Sequence, residues 1–362
     1  MTAMISPRNR IAWLALLPVA LALAVGRAEG QGGVIHTIDI PAPSLRGNLL
    51  GDPDTRAVSI YLPGAYADHP REHFPVIYLL HGFAADNKAF IAGAYQNLNV
   101  RISMDSLIAV GKVRPMIVVT PSARNRFDGS FYVNSPTTGR WEDFITHDLV
   151  GYIDRHFRTI PKASSRGLAG HSMGGYGTLY IGMRNPRVFS AIYALSPCCL
   201  GGNEHPTPPM VKAWIKTLSL RDTSQIRSAG FIPNLLMALA AVYSPDPKHP
   251  PFYVDYPFTA RSDSLVLDSG VAARWKPPLT LVERYRSDLA QLSIGFDAGR
   301  SDGFPDIPEN VHILDEKLTS LGIPHFAEIY EGTHGSHIRE RLESVVFPFF
   351  SRKLKFESER SR

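Results

Sequence analysis

Cysteine is scarce in this sequence: Cys198 and Cys199 are the only two among 362 residues. A framework of disulfides is therefore excluded, and a hydrophobic core must hold the fold together. A bond between neighbouring cysteines would close a tight, strained ring. We therefore expect a buried pair of free thiols.

An excess of charge of one sign is also absent. The chain has 38 Lys and Arg against 33 Asp and Glu, a net charge of +5. Removal of residues 1–28 would take away Arg8, Arg10 and Arg27, and 35 minus 33 leaves +2. A nearly neutral chain without a dense Lys/Arg stripe lacks the electrostatic footprint of a nucleic-acid-binding protein. No nucleic-acid partner is expected.

The N-terminal apolar run is too short to span a bilayer. Residues 11–25 form fifteen residues without a charge, whereas a membrane-spanning helix needs about 20. Arg8 and Arg10 precede this run, and small residues follow it. That order predicts a secretory signal peptide at residues 1–28, cleaved near Ala28. The protein is then secreted or periplasmic, with no stable membrane anchor.

Strand-like and helix-like segments alternate from residue 34 onward. Apolar, β-rich runs of five to nine residues are typical of buried strands, and amphipathic runs between them are typical of helices. This alternation indicates βαβ units and a mainly parallel central sheet with helices on both faces. The predicted strands are 56–64, 74–82, 116–122, 165–172, 189–197, 291–299 and 325–332, and the predicted helices are 97–112, 141–160, 174–186, 308–322 and 337–350.

One long segment interrupts the alternation. Residues 198–280 contain proline-rich runs and the apolar helical stretch FIPNLLMALAAVY. We interpret them as a cap-like insertion between two core strands, because loops of this size are usually functional. A second packing layer without ligand contact is the alternative.

The stretch GHSMG at residues 170–174 matches G-x-S-x-G. In that motif the serine occupies a strained turn from a strand to a helix, and the glycines let two backbones pass closely. The required apolar strand precedes Ser172, and a helix rich in small residues follows it. The start of that helix also offers backbone N–H groups and a partial positive charge. We therefore predict that Ser172 is a nucleophile.

A nucleophilic serine needs a base and an orienting acid, which follow in the order Ser, acid, His in this arrangement. The loop after the penultimate strand offers Asp297, Asp302 and Asp306. Asp302 lies in the loop proper and is the predicted acid, with Asp297 at the strand end as its main rival. His334 follows the last strand and is the predicted base. His337 starts the next helix and is expected at the surface or in packing.

Two backbone N–H groups are needed to bind an oxyanion. Met173, the residue after the nucleophile, should supply one. The other should come from His81-Gly82-Phe83, which matches the H-G-x pattern after a strand. We choose the Phe83 N–H, with Gly82 as the alternative.

The segments YLLHGF, GSFYVNSPTTGRWEDFITHDLVGYIDRHFRTI, GHSMGGYG and ALSP resemble those of the putative esterase family of α/β-hydrolases. This family includes esterase-D-type S-formylglutathione hydrolases, feruloyl and acetyl esterases, and mycolyltransferases. The resemblance implies an α/β-hydrolase catalytic domain at 29–362 with the cap inserted at 198–280. It also implies an acid in a G-x-x-D loop, matching Gly299 to Asp302, and a base in a G-x-H turn, matching Gly332 to His334.

The GSFYVNS loop follows a strand end and is expected to border the site. The predicted substrate-binding residues are therefore Gly82, Ser130, Tyr132 and Trp141. Trp141 would serve equally well as a packing residue at a helix start.

The expected reaction is two-step acyl transfer from an ester to Ser172 and then to water. The sequence has no H-E-x-x-H motif and no ligand cluster, so neither a metal nor a cofactor is expected. The expected partner is a small-molecule, glycan or lipid ester. Acyl transfer to a sugar or lipid alcohol, peptide hydrolysis, and a non-catalytic binding role on the same scaffold remain alternatives.

Overall fold

The computed structural model describes residues 32–201 and 206–357. The predicted signal peptide at residues 1–28 lies outside these ranges. Across the part of the chain that is described, no helix combines the length and the apolar character needed to cross a membrane.

A mixed set of strands and helices confirms the predicted alternation. The strands are β1 (Val34–Pro41), β2 (Thr55–Leu62), β3 (Val76–Leu80), β4 (Ile117–Pro121), β5 (Asn134–Ser135), β6 (Gly139–Arg140), β7 (Arg166–His171), β8 (Ala191–Leu195), β9 (Phe258–Arg261), β10 (Ser264–Leu267), β11 (Ser293–Gly299) and β12 (His325–Tyr330). The helices are α1 (Gly64–Asp68), α2 (Val100–Ala109), α3 (Trp141–Asp143), α4 (Val150–His156), α5 (Met173–Arg184), α6 (Pro208–Ser219), α7 (Ile226–Ala229), α8 (Phe231–Tyr243), α9 (Ser269–Ala272), α10 (Pro278–Leu281), α11 (Arg286–Leu289), α12 (Asp306–Ser320), α13 (Ile338–Arg341) and α14 (Phe347–Lys353).

Eight strands form the central sheet in the order β1-β2-β4-β3-β7-β8-β11-β12. Strand β2 runs antiparallel to both of its neighbours, and the other adjacent pairs are parallel. The parallel strands β3, β4 and β8 are buried along their whole length. Their nearly continuous apolar sequences follow from this, because helices cover both faces of a parallel sheet.

Side chains of β3 show how the sheet separates two layers of core. Val76, Tyr78 and Leu80 pack into one buried cluster together with Met173 of α5. Ile77 and Leu79 point to the opposite face and pack into a second cluster, which includes helices near the C-terminus. The period of two along a strand produces this division.

Several features differ from the sequence predictions. The helix predicted at 141–160 contains a π-helical turn at Phe144–Leu149 and ends at His156, because Phe157 adopts an extended backbone. Strand β1 was not among the predicted strands, yet it pairs along β2 over eight residues.

The chain between β8 and β11 contains α6 to α11 and the hairpin β9–β10. Helix α8 coincides with the apolar stretch that the sequence marked as helical. The hairpin was not expected from the sequence, since its strands are short and largely exposed.

Candidate active site

The predicted catalytic residues follow four of the five neighbouring parallel strands β3-β7-β8-β11-β12. Phe83 comes after β3, Ser172 after β7, Asp302 after β11 and His334 after β12. The carboxyl ends of parallel strands meet at one edge of the sheet, where ligands bind in open α/β folds. Residues far apart in sequence can therefore meet there.

Ser172 sits on a strained turn between β7 and α5. Its backbone has φ 58° and ψ −117°, a conformation that L-residues seldom adopt. A Cβ on Gly174 would clash with the carbonyl oxygen of Leu80, and one on Gly170 would clash with the backbone of Gly174. The two motif glycines are therefore required by close backbone approach.

The His334 ring bridges Ser172 and Asp302. Its Nε2 lies 2.9 Å from Ser172 Oγ, and its Nδ1 lies 2.7 Å from Asp302 Oδ2. A carboxylate only accepts, so Nδ1 carries the hydrogen and Nε2 is free to accept the serine proton. The Asp302 side chain is fully buried, whereas 22% of the His334 side chain remains exposed. The base is thus reachable from solvent and its partner is not.

The other acidic candidates lie elsewhere. Asp297 Oδ2 accepts hydrogen bonds from Arg341 Nε at 2.9 Å and from the Tyr193 hydroxyl at 2.8 Å. Burial raises the pKa of Asp297 to about 6, although Arg341 and Tyr193 act in the opposite direction. Asp306 starts α12. The structure therefore brings Asp302 to His334, and it engages Asp297 with an arginine instead.

Backbone hydrogen bonds hold the acid and base loops against each other. The Ser301 N–H donates to the carbonyl of Gly332 at 2.8 Å, and the Phe304 N–H donates to Asp302 Oδ1 at 2.8 Å. The second of these fixes the carboxylate while its other oxygen faces His334. His337, the second histidine of this region, lies with Glu340 at the surface.

His171 supports the base from beneath, a role that the sequence analysis missed. Its Nε2 lies 2.9 Å from the carbonyl oxygen of His334. That nitrogen must carry the hydrogen, because a carbonyl only accepts. Burial, and to a smaller extent the nearby His334, lowers the pKa of His171 to about 3. His171 is therefore neutral and holds the backbone of the base.

The N–H groups of Phe83 and Met173 are available for an oxyanion. Within the described residues, neither has a hydrogen-bond partner. A Cβ on Gly129 would clash with both the Phe83 ring and the Met173 sulfur, so the two residues flank the same point of the GSFYVNS loop. A Cβ on Gly82 would lie 3.4 Å from the Ser172 Cβ, which puts this turn beside the nucleophile.

His81 fixes the direction of the Phe83 N–H. Its Nδ1 lies 2.7 Å from the Gly82 carbonyl oxygen, and its Nε2 accepts the Ala123 N–H at 2.8 Å. The Gly82 carbonyl and the Phe83 N–H belong to one planar peptide and point in opposite directions. Holding the carbonyl therefore turns the N–H away from His81. Burial lowers the pKa of His81 to about 4 and keeps the ring neutral.

All four predicted substrate-binding residues are buried: Gly82, Ser130, Tyr132 and Trp141. The Tyr132 hydroxyl donates to the His81 carbonyl at 2.9 Å, and Ser130 Oγ accepts the Tyr132 N–H at 3.2 Å. Trp141 Nε1 donates to the Thr138 carbonyl at 2.7 Å, and its ring is fully buried. Trp141 is thus in the packing position that the sequence left open. None of these side chains presents an open surface to a substrate, because each is already engaged by the loop.

Cys198 and Cys199 are free thiols, as predicted, although Cys199 is only half-buried. Cys198 is buried, and its N–H donates to the Ser172 carbonyl at 3.3 Å. Contact with Cys198 and burial raise the pKa of Cys199, so this thiol is protonated and unreactive.

Over the described ranges, one group of side chains has the donors to hold a metal ion: Asp246, His249 and Asp255. Arg274 forms an ion pair with Asp255, and His249 Nδ1 lies 2.6 Å from Asp255 Oδ1. The carboxylate that a cation would need is therefore already paired with a guanidinium. This group lies in the segment between β8 and β11, apart from Ser172.

A family model described as "Putative esterase" matches residues 53–338. The match includes Ser172, Asp302 and His334. This chain belongs to that family. Membership confirms the carboxylic ester hydrolase that the resemblance of the sequence motifs implied.

Individual relatives are more distant. An endo-1,4-beta-xylanase/feruloyl esterase of Xylanibacter ruminicola is 31% identical over 137 residues, which are 37% of this chain and 18% of that protein. The chain thus matches less than a fifth of that relative's length.

Solved structures share the fold. A ferulic acid esterase has a TM-score of 0.61 at 20% identity, over 89% of this chain and 99% of its own. An S-formylglutathione hydrolase from Agrobacterium tumefaciens has a TM-score of 0.58 at 18% identity, over 90% and 96%. Together with the sheet order, these similarities confirm the predicted α/β-hydrolase fold.

Proposed function

We propose that this protein is a serine esterase that cleaves carboxylic esters through an acyl-enzyme. The observation that carries the proposal is the position of His334, 2.9 Å from Ser172 Oγ and 2.7 Å from Asp302 Oδ2. A serine hydroxyl becomes a useful nucleophile when a base takes its proton and an acid orients that base. The family assignment supports an ester as the substrate.

Each residue has one task in the proposed reaction. Ser172 Oγ attacks the ester carbonyl carbon while His334 Nε2 takes its proton, and buried Asp302 stabilises the imidazolium. The Phe83 and Met173 N–H groups bind the negative oxygen of the tetrahedral intermediate. The imidazolium then returns the proton to the leaving alcohol. A water molecule then attacks the acyl-enzyme in the same way, with His334 as its base. This second step releases the carboxylic acid product and regenerates Ser172.

Time courses with p-nitrophenyl acetate, butyrate and octanoate test this function, with Ser172→Ala beside the wild type. We expect hydrolysis by the wild type and a loss in kcat on the order of 10⁴-fold or more in the variant. Addition of a sugar as acceptor distinguishes the transferase alternative, because the acyl product would then appear on the sugar. Equal rates in the two proteins would contradict the proposed nucleophile.

Export is part of the proposal and is supported by the sequence of residues 1–28. Expression of the full chain in a bacterium with a secretory pathway, followed by N-terminal sequencing, tests it. We expect a mature protein in the periplasm or medium that begins near residue 29. An uncleaved protein confined to the cytoplasm would contradict export and leave the esterase proposal untouched.

A further inference from the structure

The segment between β8 and β11 contributes an aromatic residue to the surroundings of the proposed catalytic residues. Phe231 is the first residue of α8, and Gly230 before it has φ +97°, a conformation suited to glycine. Further along the helix, Leu236 to Ala241 are all buried. Phe231 is 48% exposed. A single exposed aromatic ring is ordinary on a protein surface, so its neighbours carry the argument.

The Phe231 ring lies between two other phenylalanines that belong to the candidate site. It meets the Phe83 ring edge-on, with centroids 5.3 Å apart, and stacks toward the Phe304 ring at 6.4 Å. Phe83 carries a proposed oxyanion donor. The Phe304 ring in turn lies edge-on to the His334 ring at 5.4 Å. A continuous row of aromatic rings therefore runs from the oxyanion turn to the base.

A partly buried hydrogen bond connects α8 to the loop that contacts the Phe83 turn. Asn234, one helical turn after Phe231, is 3% exposed, and its Nδ2 donates to Asp128 Oδ2 at 2.9 Å. The Asp128 carbonyl accepts the Ala84 N–H at 2.9 Å, next to Phe83. Phe231 is thus held at a set position beside the site.

We propose that Phe231 is a specificity-determining residue, whose exposed ring face binds a flat, uncharged aromatic group of the ester. This inference rests on the esterase function proposed above. The ring neighbours of Phe231 are the aromatic side chains of Phe83 and Phe304. Two aromatic rings prefer edge-to-face or offset contacts, and an aromatic group of the substrate can make such a contact with the exposed face of Phe231. The aromatic group can belong to the acyl part or to the alcohol part of the ester, and the two are separated by the choice of substrate.

Three esters and one matched control test the proposal. Methyl cinnamate carries its ring on the acyl side, phenyl acetate on the alcohol side, and ethyl acetate has none. We expect Phe231→Ala to raise KM about 3- to 10-fold for one of the aromatic esters, with kcat within twofold and ethyl acetate unaffected. Phe326→Ala is the control, because Phe326 is also exposed, at 40%, but lies on β12.

The aromatic ester whose KM rises identifies the side that Phe231 contacts. An equal loss on ethyl acetate and on both aromatic esters would show a merely structural role, and unchanged kinetics on all three would place the ring outside the binding site. Either result overturns the proposal. If Phe231→Ala fails to fold, Phe231→Leu replaces it in the test. The leucine keeps apolar volume without the ring, and we expect it also to raise KM for one of the aromatic esters.

A different result marks failure of the proposed function itself. A wild-type protein that hydrolyses none of the three esters, and whose Ser172 is not labelled by a fluorophosphonate, would contradict the esterase and this inference together. Hydrolysis by the wild type combined with unchanged kinetics in Phe231→Ala would contradict the inference alone.

Discussion

At the scale of single residues, the two hydrogen bonds of His81 can be separated by substitution. Asparagine at this position keeps a donor near Nδ1 for the Gly82 carbonyl, whereas glutamine keeps an acceptor near Nε2 for Ala123. Since the first bond orients the Phe83 N–H, we expect His81→Gln to lower kcat about 10²-fold and His81→Asn to lower it much less. KM should stay nearly constant in both. Equal losses in the two variants, measured by steady-state kinetics, would argue against this role.

Gly129 gives a second prediction at this scale. A Cβ there would enter the space of the Phe83 ring and the Met173 sulfur, so Gly129→Ala should displace both proposed oxyanion donors. We expect a lower kcat and a loss of about 1–3 kcal/mol in the free energy of unfolding, typical of overpacking. Gly303→Ala is the matched control, because no atom lies within 4 Å of a Cβ at that position. Similar behaviour of the two variants would contradict the steric argument.

The candidate triad could be predicted from sequence to different degrees. Ser172 and His334 could be chosen because a motif or a short turn marks each of them locally. The choice between Asp297 and Asp302 could not be settled in this way. It depends on Arg341, 44 residues after Asp297, whose guanidinium occupies that carboxylate. His81 and His171 were missed as supporting residues because their hydrogen-bond partners are backbone N–H and carbonyl groups that no sequence pattern reveals.

At the scale of secondary structure elements, a buried ion pair connects β11 to α13. The side chains of Arg341 and Asp297 are 9% and 0% exposed. The backbone N–H of Arg341 also donates a hydrogen bond to the carbonyl of His337, which follows the loop of His334. Without Arg341, the buried Asp297 carboxylate loses its cation and keeps only the Tyr193 hydroxyl as a side-chain partner. We therefore expect Arg341→Met to lower the free energy of unfolding by about 3–5 kcal/mol.

Urea unfolding of a double-mutant cycle checks this link. Asp297→Asn in the Arg341→Met background should recover part of the loss, because it removes the unpaired buried charge. Strictly additive losses would show that the two side chains are not coupled.

Most core strands could be predicted because a parallel strand buried on both faces has a short, continuous apolar sequence. The same criterion failed for the hairpin β9–β10, whose strands are exposed. The π-helical turn at Phe144–Leu149 was not predicted either. Its apolar residues fit the spacing expected of an α-helix, so the sequence pattern does not distinguish the two kinds of turn. The burial of Tyr132 and Trp141 depends on contacts across the loop, so the sequence could not separate packing from substrate contact.

At the scale of the whole molecule, two buried neutral histidines make stability depend on pH. The pKa values of His81 and His171 fall to about 4 and about 3 on folding. Between pH 6.5 and 4 the unfolded chain therefore binds protons that the folded chain does not, and stability falls as the pH drops. Asp297, whose pKa rises to about 6, acts in the opposite direction between pH 6 and 4.

A comparison of variants isolates the contribution of His81. His81→Asn should destabilise the protein at pH 7, since it removes a buried hydrogen bond to Ala123. At pH 4.5 the wild type loses stability because its folded state keeps His81 unprotonated, whereas the variant has no histidine at this position. The destabilisation by His81→Asn should therefore be about 2 kcal/mol smaller at pH 4.5 than at pH 7. Unfolding in urea at the two pH values measures the difference. A destabilisation independent of pH would contradict a neutral, buried His81.

The central claim is that Ser172 is the nucleophile of an esterase. Its most direct test is incubation of the purified protein with a fluorophosphonate, followed by intact-mass measurement and peptide mapping. The hydrolysis of p-nitrophenyl acetate is measured during the incubation, and Ser172→Ala is treated in the same way as the control. We expect one phosphonyl group per chain, located on Ser172, with activity lost in proportion to labelling and no label in the variant. An active protein that remains unlabelled at Ser172, or that is labelled equally in Ser172→Ala, would contradict it.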